Sequence, residues 1–299
     1  MGAGARWRGG RLTVSGVMQQ GLVALLLLAA AALSGCASVS DRQTTLTTEA
    51  PFIPLESDAR VLFEPGAKDQ AEQVARHLPQ AIADVEAGHY RPFPEPVRIY
   101  VCGTEECFAS HVVSPNLSAA VVPNNRLFLA PRLFARESQR LPAILTHELS
   151  HVHLGQQIGH FSPTVPAWFH EGLAAYVSHG GGAEFASEAQ SVQAMREGRR
   201  FDPAAHDSAD SRNRGERAGL TPFLFYRQSM MFVGYLKNLA EDRFRDFLLA
   251  VENKSDFDAA FANFFETDLA TAGGRFFASE LGNGGTQGVA RSAVTPEIR

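Results

Sequence analysis

Residues 146–151 read Thr-His-Glu-Leu-Ser-His, and this His-Glu-x-x-His run constrains the chain more than any other segment. On an α-helix, residues four apart lie one turn apart on the same face. His147 and His151 then direct two imidazoles at one point. Glu148 is turned about 100° round the helix from His147 and lies a short arc from that point. Two imidazoles able to hold a metal ion, with a carboxylate placed to take a proton from water, is the arrangement that metal-activated hydrolysis requires. The run has this meaning only in a helix. Leu141, Ile144, Leu145, Leu149 and Val152 recur at helical spacing and predict one over about 139–155. Ser138 is a candidate cap, Pro142 is tolerated in the first turn, and Gly155 or Gly159 is the stop.

A catalytic zinc takes three protein ligands and keeps one position for water. Two are supplied by His147 and His151, so the third must come from another element. Glu171 is the strongest candidate. It lies in Ala167-Trp168-Phe169-His170-Glu171-Gly172-Leu173-Ala174, a predicted second helix that starts after Pro166 and is closed by Gly180-Gly181-Gly182. Nineteen residues separate it from His151, enough for a loop that turns the second helix back on the first. His170 points about 100° away from Glu171 on a helix, and His153 faces away from His151, so both read as surface or supporting histidines.

His-Glu-x-x-His followed at this gap by Pro-x-Trp-x-x-Glu-Gly-x-Ala resembles the gluzincin zinc metallopeptidases, the thermolysin-like enzymes and their compact bacterial peptidase MA-like relatives. The resemblance covers about 30 residues and extends loosely to Tyr226-Arg227-Gln228-Ser229 and Tyr235-Leu236. It implies one Zn2+ per chain held by His147, His151 and Glu171, with Glu148 as general base. It implies an α+β zincin-like domain over 59–282 with a small N-terminal sheet, an active-site helix and a mainly helical C-terminal part. An oxyanion donor well downstream is also implied. Tyr226 is the candidate, with Tyr235 and His206 as alternatives and core packing as the competing reading of Tyr226. A metzincin would need Gly at 154 and His at 157, where Leu154 and Gln157 stand. An acid four residues after the third ligand often orients a zinc histidine in thermolysin-like enzymes, but Ala175 stands there. The Gly-x-Met-x-Asn signature of the related aminopeptidases is absent, which favours endopeptidase-like cleavage.

Residues 1–35 have another character. Arg6, Arg8 and Arg11 precede an apolar run from Leu22 to Leu33, and Leu33-Ser34-Gly35-Cys36 follows. A basic segment, a short apolar segment and small residues at a cut site make an export signal, and the run is short for a membrane span. The ending resembles a bacterial lipobox, which implies lipidation at Cys36 and membrane attachment through it. Ala37 rather than Asp follows, which by resemblance to the enterobacterial sorting pattern favours the outer over the inner membrane. The expected location is the periplasm-facing cell envelope, with a flexible tether over 36–58. Loss of residues 1–35 removes three Arg and no acid, moving the formal net charge from −5 to −8. That excludes nucleic acid as an expected partner; peptide or protein substrate remains.

Cys102 and Cys107 read as a short disulfide loop in an oxidising compartment, with two buried thiols or half of a metal site as alternatives. A helix interrupted at Pro79 is expected over 67–86, and strands at 97–101 and 126–130. The second of these is either a substrate-pairing edge strand or an ordinary sheet strand. A helix is expected over 184–197. Residues 198–220 read as a long mobile loop, the Phe-rich stretch from 223 to 281 as core helices, and 283–299 as a disordered tail. Two other functions stay open: a non-catalytic zinc-binding envelope lipoprotein, and a zinc amidase acting on a non-protein amide. An intact Glu148 disfavours the first, since a structural site has no use for a base.

Overall fold

The computed structural model describes residues 52–205 and 215–283, without the side chains of Arg217 and Asn283. The leader, Cys36, residues 37–51, His206 and the expected tail beyond Asn283 lie outside the described residues.

The fold is mixed α+β. Strands β1 (Ile53–Pro54), β2 (Val61–Phe63), β3 (Ile99–Val101), β4 (Ala119–Val122) and β5 (Arg126–Leu129) form one sheet in the order β1-β2-β3-β5-β4. β2, β3 and β5 run parallel, and β1 and β4 close the two edges antiparallel. Alternation along each strand sorts the faces. Val61, Phe63, Ile99, Val101, Leu127 and Leu129 are buried in the main core. Tyr100 and Phe128 point to the other face, into a smaller cluster with Phe52, Cys102 and Phe108. Helix α1 (Lys68–His89) precedes β3, and the short α2 (Glu105–His111) follows it. Thr104 caps α2 by accepting from the Cys107 amide at 3.1 Å, and Cys102 and Cys107 are joined by a disulfide across this turn.

α3 (Pro131–Arg136) leads through a 3-10 turn at Ser138–Arg140 to α4 (Leu141–Ile158), the helix that carries the His-Glu-x-x-His run. Twelve of its 18 residues are buried, which marks a helix packed on nearly all sides rather than an amphipathic surface helix. It lies against α1 on one side and β4 and β5 on another. α5 (Ala167–Val177) packs against it and is buried at nine of 11 positions. Then come α6 (Glu188–Arg196), α7 (Pro222–Leu239), α8 (Glu241–Glu252), α9 (Phe257–Phe265) and α10 (Leu269–Asn283). Behind α5 the rings of Trp168, Phe169, Phe232, Phe247 and Phe257 are each at most 2 % exposed and meet edge to face or tilted. Such pairs add specificity to the area they bury. Among the described residues no helix is long and apolar enough to cross a membrane.

Several expectations need correction. Residues 53–58 are not tether: Ile53 and Pro54 pair with β2, and Leu55 is fully buried. α1 runs unbroken through Pro79, which sits on its exposed face. There the carbonyl that loses its partner is free to meet water instead of a buried void. The strand near 126–130 is interior, paired on both sides, so it has no free ladder for a substrate; the edge is β4. Ser138 does not cap α4; Arg140 holds that position with no side-chain cap. The stretch 198–220 is anchored at both described ends. Phe201 and Leu220 are buried, and the Trp168 indole donates to the Pro203 carbonyl at 2.9 Å.

Candidate metal centre

Among the described residues, three groups of side chains bring metal-capable atoms together. Donor spacing separates them. Ligands at about 2.0–2.1 Å from a tetrahedral ion stand about 3.3 Å apart, the edge of the tetrahedron.

In the first group, the sulfurs of Cys102 and Cys107, near His111, are bonded to each other. They are therefore not thiolates.

In the second, Glu252 Oε1 lies 2.7 Å from His89 Nδ1 and 3.4 Å from His153 Nδ1. The shorter distance is that of a hydrogen bond rather than a ligand edge. Arg91 stands 3.3 Å from Glu252 Oε2 and supplies the counter-charge. Burial holds His89 down at about 4, against the pull of Glu252, so near neutrality it is uncharged. It donates from Nδ1 to the carboxylate, and Nε2 accepts from the Ser150 hydroxyl at 2.8 Å. Ser150–His89–Glu252 is thus a fully buried chain that ties α1, α4 and α8 together. His153 belongs to it. This histidine is neither at the surface nor aimed at His151, and its Nε2 lies 3.2 Å from the Arg91 carbonyl.

The third group has the ligand spacing. His147 Nε2 and His151 Nε2 are 3.2 Å apart, and Glu171 Oε2 is 3.4 Å from each. The triangle is near equilateral and close to the tetrahedral edge. All three side chains are buried, at 3 %, 7 % and 2 % exposure. Two imidazole nitrogens and one carboxylate oxygen form a donor set that suits zinc. The two helices deliver these atoms for separable reasons. The i, i+4 spacing on α4 stacks the histidines. Gly172, next to Glu171, lets α5 approach α7 closely, since a Cβ there would lie 2.7 Å from the Ser229 carbonyl oxygen. This close approach packs α5, the helix that carries Glu171, against α7.

Glu148 is half-buried one residue along α4, and among the described residues no hydrogen bond or ion pair engages its carboxylate. Tyr226 is on the site: its ring lies 6.0 Å from that of His147 at 29°. Tyr235 is not, because it packs on Phe232 and Phe276. His170 is held off. Its ring meets Phe161, which also packs on His151, and its Nε2 lies 3.4 Å from the Ser162 carbonyl.

Sequence reasoning missed two features here. One is the Ser150–His89–Glu252 chain, whose members stand 61 and 163 residues apart. The other is the glycine turn at 180–182, read only as a helix stop. A Cβ at Gly182 would lie 2.9 Å from His147 Cε1 and 3.3 Å from Tyr226 Cδ2.

No protein-family model matches the chain, and neither does any curated protein. Solved structures do show a likeness. Native yeast LTA4 hydrolase aligns over 80 % of this chain and 38 % of its own, at 15 % identity and a TM-score of 0.47. Yeast LTA4 hydrolase in complex with bestatin aligns over 74 % of this chain and 34 % of its own, at 17 % identity and a TM-score of 0.43. The chain therefore spans well under half the length of these proteins.

Proposed function

We propose that this chain is a zinc-dependent hydrolase with a zincin-like fold that cleaves peptide bonds at the cell envelope. The observation that carries the reading is the donor triangle of His147 Nε2, His151 Nε2 and Glu171 Oε2, at 3.2, 3.4 and 3.4 Å, with Glu148 beside it on the same helix. When bound there, zinc would acidify a water and polarise the scissile carbonyl. The chain's own residues do the rest. The Glu148 carboxylate takes the proton of the attacking water and hands it to the leaving amine. The Tyr226 phenol, beside His147, is the candidate donor to the oxyanion. The Phe161 ring packs on His151 at 5.2 Å between centroids. β4 is the sheet's free edge next to α4, where an extended peptide can add as a further strand. Export by the leader and a lipid at Cys36 complete the reading.

The test is hydrolysis of a diverse peptide library by the zinc-loaded chain, with Glu148→Gln as control. The variant should keep near one zinc per chain and lose at least a hundredfold in rate. Zinc loss in Glu148→Gln would remove Glu148 as base, and an inactive parent that holds zinc would favour the non-catalytic reading.

A further inference from the structure

The turn after α5 does more than end a helix. Gly182 has φ +79 and lies against two residues of the site at once. A Cβ on it would stand 2.9 Å from Cε1 and 3.1 Å from Nδ1 of His147, and 3.3 Å from Tyr226 Cδ2. The backbone at 182 therefore abuts the Nδ1–Cε1 edge of the His147 ring, while Nε2 of the same ring faces the donor triangle. A ring touched along one edge by backbone cannot rotate toward it.

The turn is itself held. Arg227, on α7 next to Tyr226, donates from Nε to the Ala186 carbonyl at 2.7 Å and from Nη2 to the Ala183 carbonyl at 3.0 Å. Its Nη2 would also stand 3.4 Å from a Cβ on Gly180. One planar guanidinium thus grips two carbonyls of the 183–186 segment and carries the fork geometry that a lysine lacks. Arg140 pins the same segment from the other side, with Nη2 3.1 Å from Glu184 Oε2.

We propose that Gly182, latched through Arg227, is the positioning residue for His147. The 180–186 segment acts as a fixed wall that sets the rotation of the His147 ring and its spacing from Tyr226. The proposal rests on the metal reading of the donor triangle, and the experiment keeps the two apart.

The structure supplies a matched control. Gly198 has φ +78, beside +79 at Gly182, but a Cβ there meets nothing within 4 Å. Gly182→Ala and Gly198→Ala thus both place a side chain at positive φ, +79 and +78. Only the first pushes on His147. Zinc affinity is measured by competition with a chromogenic chelator on parent, Gly182→Ala, Gly198→Ala and Arg227→Lys, with the thermal midpoint of each metal-free protein alongside. Gly182→Ala should bind zinc at least tenfold more weakly than Gly198→Ala; its metal-free midpoint also falls further, through the 2.9 Å contact, so both affinities are measured well below either midpoint. Arg227→Lys leaves the glycine turn unstrained and should lose affinity in the same direction. Equal zinc affinity in the two alanine variants overturns the proposal. If Gly182→Ala does not fold, parent-like affinity in Arg227→Lys overturns it instead. A parent that fails to bind zinc at all refutes the metal reading itself.

Discussion

Glu171→Gln probes the donor triangle with little change in side-chain volume. Glu171 is 2 % exposed and its Oε2 is 3.4 Å from both histidine nitrogens. A ligand that binds only the folded chain stabilises it by RT ln(1 + [L]/Kd), about 4 kcal/mol at a thousand times Kd. For a folded unit of this size each kcal/mol moves the thermal midpoint by roughly 2–4 °C. The parent should therefore rise by roughly 8–16 °C between metal-free and zinc-loaded states. Loss of a partner that only orients a ligand weakens metal binding by about 10–100-fold, so loss of the anionic ligand itself should cost at least ~100-fold. That is about 2.7 kcal/mol. At the same free zinc the shift in Glu171→Gln should shrink to roughly 3–6 °C. Each protein is measured against its own metal-free baseline, so any effect on the unloaded fold cancels. Differential scanning fluorimetry in zinc buffers gives the number. A variant that keeps the parent's full zinc shift would refute Glu171 as the third ligand.

Two further outcomes are expected. His89 is held down at about 4 by burial, and Glu252 at about 2, where burial alone would raise it but hydrogen bonds from His153 and His89 prevail. Both values are depressed in the folded chain, so the unfolded chain takes up protons first as pH falls. The stability these groups supply is then complete above about 6.5 and is lost toward 4 through His89 and from 4.5 toward 2 through Glu252. The His89 part is on the order of 3 kcal/mol. Urea melts of the metal-free chain at stepped pH should show this acid limb, and His89→Gln should flatten it between 6.5 and 4. A limb of unchanged slope in the variant would assign it to other groups. Cys36→Ser should release the chain from the membrane fraction into the soluble one; processed protein that stays with membranes would rule out the lipid anchor.

What the amino-acid order disclosed, and what it hid, follows from how far apart the cooperating residues stand. His147, Glu148 and His151 lie within one helical turn and a half, so helical period alone brings them together. Glu171 needed only one more helix and a loop, and the Glu-Gly pair marked it. Once packed, that pair has a physical meaning: Gly172 is where α5 meets the Ser229 backbone, which also accounts for part of Tyr226-Arg227-Gln228-Ser229. Each member of that run serves the site or its support. Tyr226 faces His147, Arg227 grips the 183–186 carbonyls, and Gln228 satisfies the backbone at Arg199 and Phe201. None of these contacts has a period, because each joins single residues from separate elements. The strand at 97–101 was legible and is β3; three others were missed for a different reason. β1, β2 and β4 are two to four residues long, too short for alternation to rise above chance. The 126–130 strand was visible, but its neighbours were not, so its interior place in the sheet could not be read. The buried Ser150–His89–Glu252 chain is the extreme case. Three ordinary polar residues on three helices acquire a function only by meeting. Ser150 stands three residues from His147, so the buried chain and the Gly182 wall meet α4 on neighbouring flanks. They differ in what they touch: the chain joins three helices and reaches no donor atom of the triangle, so damage to it should lower stability with or without metal. The wall at Gly182 touches the His147 ring itself, so damage to it should also be felt in metal affinity.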